Sequence, residues 1–124
     1  MIVDTSALLA VLFDEPGAAR VSDLMNQHAA DLCMSTVNVA ETLILLRDRA
    51  PRLFPILERR ILEAGIRFVA PDLEQAKIAA EARLRYPLNL GDCFAYALAR
   101  TEGQPLLTLD RDFRKTDLEV LLPG

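Results

Sequence analysis

The sequence holds one histidine, His28, two cysteines, Cys33 and Cys93, and two lysines, Lys77 and Lys115, among its 124 residues. Each scarcity closes a class of chemistry. With one histidine, placed at a polar helix end, no metal-free ribonuclease built on paired histidines can be assembled, nor a Ser/His or Cys/His nucleophilic centre. The cysteines are far apart, in apolar stretches, without CxxC or Cys/His ligand spacing. They read as buried thiols of a reducing compartment. No charged-then-apolar leader or apolar run of membrane-spanning length occurs, so the expectation is a soluble, cytoplasmic protein with no membrane partner. Basic charge is short as well. The 14 Lys and Arg against 18 Asp and Glu leave a net charge of −4, the wrong sign for a protein that coats nucleic acid by broad electrostatics. A nuclease remains compatible with that sum, because bound metal ions charge a carboxylate site and a basic patch can be local.

What is present argues for a packed core. Hydrophobic residues make up 52% and charged residues 26%, far from a disordered composition. The length suits one domain spanning residues 1–124, and no repeat, linker or low-complexity tract divides it. A mean hydropathy of +0.19 is high for so small a domain, so part of the apolar surface is expected in a subunit or partner interface.

Along the chain, strands and helices alternate. Met1–Val3 reads as a first strand, and Thr5 or Ser6 is expected to cap a helix from Ala7 to about Phe13. A helix over 18–27 precedes a second strand at Leu32–Met34. The next helix opens at Ser35 or Thr36, with Val37, Ala40, Leu43, Ile44 and Leu46 as its apolar stripe. After Pro51, a helix over 53–64 leads past Gly65 to a third strand at Ile66–Val69. A helix over 73–85, with alanines at 76, 79, 80 and 82 for close packing, is broken by Pro87. Asn89 caps another, reaching Arg100. Leu106–Leu109 is a fourth strand and Val120–Leu122 a short fifth. This order predicts an α/β fold, a small four- to five-stranded parallel sheet between two helical layers. Ligands of such sheets bind beyond the carboxyl ends of the strands.

Acids gather at those ends. Asp4 follows strand one, Asp110 follows strand four with Asp112 two residues on, Glu41 lies early in the helix after strand two, and Asp92 sits in the first turn after Asn89. Singly, each has a plainer role: Asp4 as a helix cap, Glu41 closing a capping box from Asn38, Asp92 complementing a helix dipole, Asp110 and Asp112 as turn residues. Together at one sheet edge they form a pocket whose like charges repel unless a cation joins them. Oxygen-only donors select hard ions such as Mg²⁺ or Mn²⁺. Thr5, Ser6, Asn38, Asn89 and Thr108 stand beside the acids and can orient them or bound waters.

Four blocks carry a resemblance. Ile2-Val3-Asp4-Thr5-Ser6-Ala7-Leu8, Ala40-Glu41, the run from Leu88 to Ala99 around Gly91-Asp92, and Leu106-Leu107-Thr108-Leu109-Asp110-Arg111-Asp112-Phe113 resemble, in order and spacing, the PIN-domain family and in particular its VapC-type toxins. The resemblance implies a PIN-like fold and a Mg²⁺- or Mn²⁺-dependent endoribonuclease that stops translation by cutting structured RNA such as tRNA or rRNA. It implies Asp4, Glu41, Asp92 and Asp110 as the catalytic and metal-site acids, with Asp112 an alternative for the fourth. It also implies a homodimer and a cognate, VapB-like antitoxin.

RNA also calls for positive charge. Between Arg47 and Arg67 six arginines face three acids, and Arg47, Arg49, Arg59 and Arg60 are the candidate phosphate contacts; a solvated helix face is the plainer reading. Two alternatives remain: a PIN nuclease outside any toxin system, and a non-catalytic receiver-like signalling domain. The latter needs a lysine at the end of a late strand, and none lies between Thr108 and Asp112. A haloacid-dehalogenase-type phosphatase needs a second aspartate two residues after the first, where Ser6 stands.

Overall fold

A computed structural model describes residues 1–123. Among them the chain forms β1 (Ile2–Val3), α1 (Thr5–Leu12), α2 (Ala18–Gln27), β2 (Cys33–Ser35), α3 (Thr36–Arg49), α4 (Phe54–Leu62), β3 (Arg67–Val69), α5 (Leu73–Arg85), α6 (Leu90–Glu102), β4 (Leu106–Leu107) and β5 (Val120–Leu121). Short 3₁₀ segments at Ala29–Asp31 and Arg111–Lys115, which the sequence reading missed, complete the order. The strands pair in the order β3-β2-β1-β4-β5, all parallel. All five therefore end at one edge.

Alternation along these short strands divides the interior in two. Ile2, Cys33 and Leu106 face the layer of α5 and α6, whereas Val3, Met34 and Leu107 face α1 to α4. The result is the expected three-layer α/β/α arrangement. Of the four alanines expected to pack closely, Ala79 and Ala82 are buried against α6, whereas Ala76 is half-buried and Ala80 exposed. Gly103, at φ 63°, closes α6 in the left-handed conformation that glycine adopts most readily, and the chain turns into β4.

Two local expectations are corrected. The first helix starts at Thr5, and Asp4 itself is its cap, accepting from the Ala7 amide. An aspartate in extended conformation before the first turn satisfies that amide better than Thr5 or Ser6 one step inside it. The apolar stripe proposed for α3 is only partly interior: Ala40 and Ile44 are exposed, and the fully buried positions are Asn38, Thr42 and Leu46. The inward face of this helix turns polar where it meets the acidic edge.

Candidate active site

Asp4 leaves β1 directly into α1 and is 3% exposed. Its Oδ1 accepts from the Ala7 amide at 3.0 Å and from Ser6 Oγ at 2.8 Å, and its Oδ2 accepts from Thr108 Oγ1 at 2.6 Å. Two of those donors are tied to the loop after β4: Ser6 Oγ accepts from the Leu109 amide at 3.0 Å, and Thr108 Oγ1 accepts from the Asp110 amide at 2.9 Å. The loops after β1 and β4 are thus fastened together through Asp4. Despite these three donors, burial and then the Asp110 charge push the Asp4 carboxyl up to about 6.

Glu41 projects from the second turn of α3. Its Oε1 accepts from Thr5 Oγ1 and from Asn38 Nδ2, each at 2.9 Å. The Asn38 amide also donates to the Gly91 carbonyl at 3.0 Å, tying α3 to the first turn of α6. Both partners are acceptors, which fixes the orientation of the amide and leaves Asn38 Oδ1 buried with no partner among the described residues. An unmet buried carbonyl costs about 1–3 kcal/mol; here it accompanies the fixing of a carboxylate. The capping box from Asn38 to Glu41 is not formed, because the helix already begins at Thr36 under a Ser35 cap.

Gly91 is the residue that sequence reasoning missed. A Cβ at this position would overlap the Glu41 carboxylate. Since Thr5 and Asn38 pin that carboxylate, it has little freedom to yield. A glycine beside an acid in a helix's first turn, where a residue with a side chain would favour the helix, was the available signal.

Asp92 follows, in the first turn of α6. It completes a capping box with Asn89, a local role more specific than the dipole complement of its plainer reading. Burial raises its carboxyl to about 6, with further contributions from Asp110, Asp4 and Glu41. The other three acids proposed from sequence therefore lie within electrostatic reach of Asp92. Asp110 caps the 3₁₀ helix, accepting from the Asp112 amide at 2.9 Å. Asp112 is turned toward Lys115 at 3.6 Å, whereas the Asp110 charge raises both Asp4 and Asp92. Of the two candidates for the fourth position, Asp110 faces the cluster.

Among the described residues, no three His, Cys, Asp or Glu side chains are drawn tightly enough together to hold an ion. The donor set nevertheless fits a hard divalent cation. It consists of carboxylates, two of them with raised pKa from burial and mutual repulsion, and a nearby cation relieves that cost directly.

A PIN domain family model matches residues 1–119. The chain belongs to the PIN-domain family. It is 40% identical to a protein named Ribonuclease VapC from Mycolicibacterium smegmatis, over 98% of this chain and 99% of that one. It is 39% identical to Ribonuclease VapC30 of Mycobacterium tuberculosis, over 99% and 100%. In three dimensions it is similar to the crystal structure of Mycobacterium tuberculosis VapC20, described as a Sarcin-Ricin loop cleaving toxin, with a TM-score of 0.83 at 20% identity and 98% of both chains covered. A similar match, at TM-score 0.82 and 13% identity over 99% and 98% of the chains, is VapBC2 from Rickettsia felis bound to a DNA fragment from their promoter.

The arginines anticipated for RNA do not gather at this PIN-domain site. Arg47 lies over the Phe54 ring and Arg49 over Phe13. Arg59 and Arg60 are exposed in the last turn of α4, from which the chain passes Gly65 into the beginning of β3, the edge opposite the acids. The two lysines do not supply the receiver-type lysine either: Lys77 is on α5 and Lys115 pairs with Asp112.

Proposed function

We propose that this chain is a metal-dependent endoribonuclease, the toxin of a type II toxin–antitoxin pair, which hydrolyses phosphodiester bonds of tRNA or rRNA and so inhibits translation in the cytoplasm. The observation that carries the reading is the gathering of Asp4, Glu41, Asp92 and Asp110 at the carboxyl edge of the sheet, close enough that the charges of the other three raise the Asp92 carboxyl. The names of the VapC relatives support the substrate class, and the VapBC neighbours support a VapB-like antitoxin as partner.

Asp4, Glu41, Asp92 and Asp110 would hold Mg²⁺ or Mn²⁺, which when bound acidifies a water and offsets charge on the phosphodiester oxygens. The chain's own part is preorganisation. Ser6 and Thr108 hold both oxygens of Asp4, and Thr5 and Asn38 hold Glu41 by one oxygen. Glu41 Oε2 carries no hydrogen bond among the described residues, which leaves that oxygen free for the ion. Fixed positions of this kind matter because small displacements of reacting groups cost large factors in rate. Ile44 on α3 and Ile56 and Leu62 on α4 are more than half exposed, an apolar surface suited to a second copy in a homodimer or to the antitoxin.

The experiment is cleavage of labelled tRNA and rRNA by purified protein in Mg²⁺, Mn²⁺ or EDTA, beside Asp4→Asn and Asp92→Asn. Metal-dependent cutting abolished by both substitutions is expected. Cutting that survives EDTA and both substitutions overturns the reading.

A further inference from the structure

The 3₁₀ helix after Asp110 carries Arg111, Arg114 and Lys115. Such a helix has three residues per turn, so side chains three apart eclipse one another. Arg111 and Arg114 therefore share one side, while Lys115, a step round, is drawn to Asp112. Both arginines are exposed. Among the described residues the ion pairs are Arg67–Glu102, Arg100–Asp117 and Lys115–Asp112, so neither arginine has an acidic partner.

The two line a single cleft of about 110 Å³ with Leu109, Leu122 and Pro123. Leu109 and Arg111 flank Asp110 in the chain, so the cleft lies one residue from the fourth acid. Its mounting is rigid. The Leu109 and Asp110 amides are held by Ser6 and Thr108, and Phe113, between the arginines, is fully buried. Two guanidinium groups on one face, left without counter-charge in a chain of net charge −4, suit the oxygens of a phosphodiester, which arginine engages in a planar, paired geometry. The leucines and proline form an apolar wall of the kind a ribose or base can rest against.

We propose that Arg111 and Arg114 form a phosphate clamp for the RNA strand, gripping a backbone phosphate next to the one presented to the carboxylates. The clamp rests on the ribonuclease reading and extends it. It gives the substrate a register on the acidic edge, which the carboxylates alone would repel.

The test compares Asp92→Asn protein, which is expected to hold RNA uncut, with the same chain carrying Arg111→Gln and Arg114→Gln, or Arg111→Lys and Arg114→Lys. Binding of a fluorescein-labelled single-stranded RNA in Mg²⁺ is followed by anisotropy across a salt series, with melting temperatures to verify folding. The glutamine pair is expected to weaken binding about tenfold and to make the salt dependence shallower by about 0.7 in log–log slope for each phosphate no longer neutralised. The lysine pair should keep the slope. Affinity and slope unchanged in the folded glutamine variant overturn the clamp. So does unchanged RNA binding accompanied by lost affinity for polyglutamate, which would make the cleft a protein-docking site. Cleavage by the wild-type chain, run alongside, separates the two readings: if it cuts while the glutamine variant binds as its parent does, only the clamp fails. If it neither cuts nor binds RNA, both fail.

Discussion

Where the strands begin, charge is matched within the chain. Arg67 meets Glu102 at 3.0 Å, Arg100 pairs with Asp117, Tyr96 donates to the same Asp117 at 2.7 Å, and the terminal ammonium donates to the Asp31 carbonyl at 2.8 Å. Where the strands end, Asp4, Glu41, Asp92 and Asp110 stand together, hydrogen-bonded to hydroxyls and amides but paired with no cation among the described residues. The carboxyl shifts run in opposite directions. Asp117 is held below the ordinary carboxylate range by its Tyr96 hydrogen bond, whereas Asp4 and Asp92 are raised to about 6 by burial. One edge is settled by folding alone; the other is left with a charge that only something bound from outside can offset.

The strongest way to break the contrast is to remove acids from the carboxyl edge. Asp4→Asn and Asp92→Asn are each expected to lower RNA cleavage by two orders of magnitude or more, about 3 kcal/mol or above in activation free energy, read in a gel assay under Mg²⁺. Charge neutralisation should at the same time raise the melting temperature of the metal-free protein. In the fold the Asp4 carboxyl titrates at about 6 against 3.8 for the free group. Between those values the native state binds more protons than the unfolded chain, so stability falls as pH rises from about 4 to 6 and stays low above. The expected loss is of the order of 3 kcal/mol for a buried group shifted by about two pH units. It is measured by urea melts in EDTA at pH 4.5 and 7, and Asp4→Asn should shrink the difference to the share that Asp92 carries.

Gly91→Ala probes the same edge without touching charge. Pressing a methyl onto the pinned Glu41 carboxylate is expected to cost about 1–3 kcal/mol in a urea melt and to cut cleavage severely, because α3 and α6 must separate. At the opposite edge effects should be small. Asp117→Asn is expected to lower the melting temperature slightly near neutral pH and to have less effect as pH falls through the depressed Asp117 value, since its stabilisation is present only when it is ionised. Arg67→Gln should leave both the melt and cleavage unchanged. Arg59→Gln with Arg60→Gln is expected to weaken RNA binding slightly, with the metal affinity unaltered, in a salt titration.

The helices were legible because each carries local punctuation. Asp72 and Asn89 cap, Pro87 and Gly103 stop, and α5 runs over the range its pattern indicated. The acids were legible for a related reason: each lies at a strand end or within the first two turns of a helix, where chain topology brings it to one edge. What stayed hidden depends on contacts between distant segments. Nothing local in the sequence reports that Gly91 lies against Glu41 or that Asp112 turns away toward Lys115. The α3 stripe misled because its inward face is polar next to the acids, so the hydrophobic period loses phase there. The arginine run is dense along the chain but spread in the fold, with Arg47 and Arg49 over aromatic rings and Arg59 and Arg60 exposed at the end of α4.

The central claim is that the carboxyl edge is kept uncompensated for a divalent cation, and calorimetric titration of the protein with Mn²⁺ tests it most directly. Mn²⁺ should bind the wild-type chain and Arg67→Gln equally, and binding should be lost in both Asp4→Asn and Asp92→Asn. Absence of Mn²⁺ binding to the wild-type chain, or binding that persists in both variants, would contradict it.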